Sequence, residues 1–116
     1  MLTISKQTRG EVVILHLSGH LTLGPGVSAL AEAAREAIAG DPPAGLVIDM
    51  SGVGRIDSAG MGELVIMNTR AGRRAGMAVC AVSSRVRELL HITHLDGVLS
   101  LYPDEAAAIA GLKRTG

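Results

Sequence analysis

Chemistry in this chain rests on few side chains: four histidines, one cysteine, and a carboxylate beside a hydroxyl at Asp57-Ser58, followed by Ala59-Gly60-Met61-Gly62. The histidines fall in two pairs, His16 with His20 and His91 with His94, spaced four and three residues apart. Zinc asks for three or four convergent protein ligands. The only thiol, Cys80, lies in the apolar run Met77-Ala78-Val79-Cys80-Ala81-Val82, far along the chain from the first pair, where it packs as a small hydrophobe. No metal site is expected, and the histidines read as strand-end and surface residues.

Asp57 and Ser58, with His91 or His94 as a base, supply the residue types of a hydrolase triad. Adjacent positions seldom fill those roles, and Arg55-Ile56-Asp57 precede Ser58 where a nucleophile elbow would read Gly-x-Ser-x-Gly. A small hydrolase using Ser58 therefore ranks behind a helix cap made by Asp57 or Ser58. Gly52-x-Gly54 and Gly60-x-Gly62 would let backbone N–H groups approach an anion at a helix start. Neither completes a dinucleotide or P-loop fingerprint, so no cofactor is expected and the glycines read as close-packing positions. Arg70, Arg73 and Arg74 read as a solvated helix end whose charge suits the macrodipole.

Composition narrows the classes further. The chain has 116 residues, with 11 Lys+Arg against 11 Asp+Glu, so counterion release has no net charge to work with and direct nucleic-acid binding is not expected. Tyr102 is the single aromatic residue, which leaves no platform for stacking bases. A hydrophobic share of 47% is enough to bury a core built from aliphatic side chains. No apolar run reaches bilayer length and the start Met1-Leu2-Thr3-Ile4-Ser5-Lys6 is unlike a secretory signal, so a cytoplasmic location without membrane insertion is expected. One cysteine allows no internal disulfide, in keeping with a reducing compartment.

The elements that must position these residues follow from periodicity. Leu2 and Ile4 alternate with Thr3 and Ser5, and Glu11 to Ser18 alternates over two apolar faces, giving two strands joined at Thr8-Arg9-Gly10 as an antiparallel hairpin. Pro25 opens an amphipathic helix with Val27, Leu30, Ala34 and Ile38 on one stripe, ending near Gly40. Leu46 to Met50 is a third strand, bounded by Ser51-Gly52-Val53-Gly54, and Ser58 to about Arg74 is a second helix. Met77 to Val82 is a fourth strand. Ser83-Ser84 offers caps to a helix carrying Val86, Leu89 and Leu90, and Asp96-Gly97 ends that segment. Val98 to Tyr102 fits a fifth short strand, and Pro103-Asp104 starts a last helix from Glu105 to Leu112. The expected fold is α/β, a mixed sheet of four or five strands with an antiparallel N-terminal hairpin and largely parallel remainder. About four helices are expected to pack on one side. Residues 1–113 are expected to form one domain and residues 114–116 a polar tail.

The segment Leu46-Val47-Ile48-Asp49-Met50-Ser51-Gly52-Val53-Gly54-Arg55-Ile56-Asp57-Ser58-Ala59-Gly60-Met61-Gly62 resembles the central signature of STAS domains, the anti-sigma-factor antagonist family. Leu17-Ser18-Gly19-His20-Leu21 is similar to the family's strand-end Gly-x-Leu, and Leu89-Leu90 through Leu95-Asp96 to its third-helix exit. The resemblance implies a non-enzymatic module that binds a protein partner, an anti-sigma factor of serine-kinase type, and is switched by phosphorylation. The family's usual phosphoacceptor is the second residue after the aspartate, which is Ala59 here, so Ser58 is the remaining candidate. Thr22 stands where the family has an acidic residue after Gly-x-Leu. The implied partner surface is Asp57, Ser58, Ala59, Gly60, Met61 and Gly62 with Leu21 and Thr22, on a monomer or weak dimer. A single hydroxyl after the aspartate also resembles STAS accessory subunits of lipid-transporting ABC complexes, which is the alternative reading.

Overall fold

The computed structural model describes residues 1–115. The alternating N-terminal segments form β1 (Leu2–Arg9) and β2 (Val12–Leu21), an antiparallel hairpin whose register runs from Leu2 opposite Gly19 to Arg9 opposite Val12. The chain continues as α1 (Pro25–Ile38), β3 (Gly45–Ile56), α2 (Ser58–Gly72), β4 (Met77–Cys80), α3 (Ser84–Ile92), a 3₁₀ turn (Leu95–Gly97), β5 (Leu101–Tyr102) and α4 (Glu105–Thr115). The strands form one sheet in the order β1-β2-β3-β4-β5, and every pairing after the hairpin is parallel. The expected mixed sheet and element order are therefore present. None of the helices among the described residues is long and apolar enough to cross a membrane.

Local chemistry sets the helix starts. Pro25 occupies the first turn of α1, the Ser83 hydroxyl accepts a hydrogen bond from the Val86 N–H at 3.2 Å, and Asp104 Oδ1 accepts one from the Ala107 N–H at 2.8 Å. α4 continues through residues 114 and 115, two of the three expected in a polar tail, while residue 116 lies outside the described residues.

The helices do not all lie on one side, which corrects the expected layering. Leu30, Ala34 and Ile38 of α1, Leu64 and Met67 of α2, and Val86 and Leu90 of α3 pack with Leu15, Ile48 and Val79 in one core. Ala108 and Leu112 of α4 pack instead with Val12, Ile14, Val47, Ala78 and Cys80, the opposite face of the same strands. The reason is topological. A sheet whose parallel strands follow one another in sequence, each crossover turning with the same hand, places all its crossover helices on one face. α4 follows the last strand, is not a crossover between strands of this sheet, and covers the face the crossovers leave bare.

β3 is longer than its apolar run predicts. It pairs with β4 only from Leu46 to Asp49, but continues along β2 to Ile56, with register shifts between His16 and Ser18 and between Gly19 and His20. Gly52, which reads as loop punctuation, sits inside the strand, where a Cβ would lie 2.7 Å from the Leu17 carbonyl oxygen. Glycine marks a bulged, close strand approach here.

Cys80 lies fully buried between β4 and α4. Burial pushes its thiol up to about 12, and the carboxylates of Asp49, Glu105 and Asp104 push in the same direction. The native protein should therefore fail to react with a thiol reagent at neutral pH and titrate one thiol in denaturant; stoichiometric labelling of the folded chain would show that α4 does not cover this face.

Candidate functional site

The ends of β2 and β3 lie side by side, with Leu21 opposite Ile56, and β3 passes directly into α2 through Asp57. Asp57 joins three segments. Its Oδ1 accepts from the Gly60 N–H at 2.9 Å, its Oδ2 accepts from the Leu23 N–H at 2.9 Å, and its own N–H donates to the Leu21 carbonyl at 3.3 Å. It is the N-cap of α2, so Ser58 is the first helical residue and its side chain is exposed. The amides of Leu23 and then Gly60 hold the Asp57 carboxyl below the usual aspartate range.

The remaining residues of the implied surface divide into those on it and those beneath it. Ala59, Met61 and Thr22 are half-buried and Gly62 is exposed. Met61 packs against the main core while its sulfur lies 3.9 Å from the Thr93 hydroxyl at the end of α3. Leu21 is fully buried and offers the site only its backbone, and Gly60 is buried against it. A Cβ on Gly60 would lie 2.2 Å from the Leu21 carbonyl oxygen, so the first turn of α2 is seated directly on the end of β2. Leu21 and Gly60 thus shape the surface from below.

Three neighbours escaped the sequence reading. Leu23 is 81% exposed although its amide is fixed by Asp57. It stands between Thr22 and Gly24, outside both the strand and helix patterns, and an unplaced leucine in a loop was the signal. Arg55 and Arg85, with Asp57, Val86 and Leu89, line a 250 Å³ hollow beside the helix start. A larger hollow of 760 Å³ lies at the other end of the strands, near Arg9, Glu11, Pro43 and Ala75, away from these groups.

The geometry lends nothing to a hydrolase. Among the described residues both Asp57 oxygens are engaged by backbone amides, and His91 Nδ1 bonds Asp96 Oδ2 at 2.8 Å. The group among the described residues that could hold a metal ion contains a single histidine. His16 joins Asp49 and Glu105, whose ligand atoms lie within 4.8 Å of one another, and His20 is not among them. Sequence could not find this group, because its members come from β2, β3 and α4.

Two consequences concern the seat of α2. Gly60→Ala should lower stability in urea by about 1–3 kcal/mol, because overpacking against a backbone carbonyl outweighs the roughly 1 kcal/mol that alanine recovers in a helix. Because the Asp57 pKa is depressed on folding, its contribution is present above the unfolded-state value and is lost as pH falls through the folded one. The amide of Leu23 should therefore keep its exchange protection down to mildly acidic pH and lose it only below the ordinary aspartate range; loss near neutrality would contradict the cap.

The STAS domain family model matches residues 3–108. The anti-sigma-F factor antagonist RsfB of Mycobacterium tuberculosis is 30% identical over 112 residues, covering 97% of this chain and 90% of that protein. The crystal structure of an anti-sigma factor antagonist from Mycobacterium paratuberculosis superposes with a TM-score of 0.83 at 28% identity, covering 97% of this chain and 95% of the other. The Bacillus cell fate determinant SpoIIAA in its phosphorylated form has the same fold, with a TM-score of 0.69 at 16% identity, 98% of this chain and all of that one being covered. A capped helix start at the end of the third strand, a mixed sheet in sequential order and these matches along nearly the whole length agree, and the chain belongs to the STAS domain family, that of the anti-sigma factor antagonists.

Proposed function

We propose that this protein is a non-catalytic regulatory module of the cytoplasm that binds an anti-sigma factor of serine-kinase type through the start of α2, acting as a monomer or weak dimer. One observation carries the reading: Asp57 links an exposed leucine to an exposed hydroxyl, Leu23 through its amide and Ser58 as its neighbour in the chain. An exposed apolar side chain on a fixed backbone suits a protein interface, since little conformational freedom is lost on docking. With one aromatic residue in the chain, Leu23, half-buried Met61 and the flanking Arg55 and Arg85 carry the contact that tyrosine or tryptophan usually provides.

Ser58 is the phosphoacceptor in this reading. Ala59 has no hydroxyl, whereas Ser58 is exposed on the first turn. A phosphate there adds about −1.5 to −2 charges. Inside the chain this charge sits well at the positive end of α2, next to Asp57, which lines the hollow with Arg55 and Arg85. Across an interface that packs on the same turn, it must be desolvated, and binding is lost. The switch therefore acts on association and leaves the fold intact.

The test is binding to the serine-kinase-type anti-sigma factors of the same cell. The parent and Ser58→Ala should bind alike, Ser58→Glu at least about tenfold more weakly, and Leu23→Ala about tenfold more weakly with unchanged thermal stability. Incubation with the bound kinase and ATP should place phosphate on Ser58 by mass spectrometry. Equal binding by Ser58→Glu and Leu23→Ala would remove this surface, and recovery of a transporter ATPase in place of a kinase would favour the transporter-subunit reading.

A further inference from the structure

On the α4 face, away from the partner surface, three potential ligands converge from three elements. His16 on β2 and Asp49 on β3 are register partners, and Glu105 opens α4 above them. His16 Nδ1 lies 3.1 Å from Asp49 Oδ2 and 3.2 Å from Glu105 Oε2. Ligands 2.0–2.2 Å from a common ion stand roughly 3–3.5 Å apart at bond angles of 90–110°, so both separations already suit one ion. The flexible Glu105 side chain can adjust the remaining one.

The groups around these three fix them as a metal site requires. His16 Nε2 lies 3.1 Å from Gln7 Oε1, an oxygen that only accepts, so the tautomer that makes this bond carries its hydrogen on Nε2. In that tautomer Nδ1 is the nitrogen available to a metal ion, beside the two carboxylate oxygens. Asp49 and Glu105 also hydrogen-bond each other, so without an ion the three groups are held by shared protons, which a cation displaces on binding. Asp49 Oδ1 accepts the Ser51 N–H at 2.9 Å, which holds that carboxylate and leaves Oδ2 turned to the histidine. An amide holding the far side of a histidine and a backbone donor holding a carboxylate are the outer-shell contacts that orient metal ligands. Asp49 is 7% exposed, while the side chains of His16 and Glu105 are 34% and 25% exposed, so the site has a rigid floor and an entrance.

We propose that His16, Asp49 and Glu105 bind one divalent first-row cation, of the Zn²⁺ or Mn²⁺ kind, through one imidazole nitrogen and two carboxylate oxygens. The ligand set is nitrogen and oxygen only, which suits such ions, and two carboxylates balance the ionic charge. Three protein ligands leave coordination positions open to water. The ion ties the first turn of α4 to β2 and β3, pinning the helix that no crossover connection holds.

The test uses the full chain with Zn²⁺ and with Co²⁺ as a spectroscopic probe. One Zn²⁺ per chain should be retained through gel filtration, melting temperature should rise with added Zn²⁺, and Co²⁺ should give visible absorption bands. Glu105→Gln and His16→Gln, both at partly open positions, should each weaken binding by about tenfold or more, with unchanged far-ultraviolet circular dichroism, and a His91→Gln/His94→Gln variant should bind as the parent does. In the parent, amide chemical shifts on adding Zn²⁺ should move around residues 16, 49 and 105, a readout that needs no variant. Failure to retain the ion, undiminished binding in Glu105→Gln and His16→Gln, or shifts centred on His91 would overturn the proposal.

Discussion

The seating of α2 depends on one carboxylate. Asp57 stands where β3 ends, and its two oxygens reach the loop after β2 and the first turn of α2 while its amide reaches the last carbonyl of β2. These bonds convert the pairing of two strands into the position of a helix. Gly60 makes the contact close enough to matter, since the helix turn rests directly on the Leu21 carbonyl. Changing either residue moves the surface that carries Ser58 without touching the hydroxyl itself, so structural and recognition roles are separable only with variants on the surface.

The sheet explains why the two candidate sites lie apart. β3 is its central strand and is fully buried from Gly45 to Met50, so neither of its faces meets solvent there. Its carboxylate chemistry emerges just past its end, at Asp57, and under the first turn of α4, at Asp49. The first position faces the crossover helices and the second faces α4. Seven residues of β3 lie between the two carboxylates, and both are satisfied first by backbone amides. In each case the amide bond fixes one oxygen and leaves the other to a second segment.

Much of the fold was legible because single-face alternation and amphipathic spacing report burial directly. The hairpin, the helices from Pro25 and Ser58 and the caps at Ser83 and Asp104 all follow from local rules. What remained hidden was long-range. Val12 and Ile14 are as apolar as Val13 and Leu15, which marks β2 as covered on both faces, but nothing local says that α4 supplies the second cover. Gly52 looks like a loop residue because a close approach to Leu17 is invisible without the partner strand. His16, Asp49 and Glu105 are spread over ninety positions and meet only after the sheet and α4 have packed.

The same limits apply to the proposed recognition surface. The motif Asp57-Ser58-Ala59-Gly60 marks its position, yet the motif residues differ in kind once folded: Asp57 and Gly60 build the surface, Ser58 presents it, and Leu23, thirty-four positions before Asp57, supplies the exposed apolar group. A fold with a single tyrosine cannot build an interface from aromatic anchors, so it must rely on fixed geometry. Geometry fixed by one aspartate is sensitive to charge placed beside it. A dianion on Ser58 would stand next in the chain to the Asp57 carboxylate, and the dipole of α2 would favour both charges in the free protein. A partner that packs over this turn excludes the water that solvates them, and for that reason charge at Ser58 opposes docking more than it opposes folding.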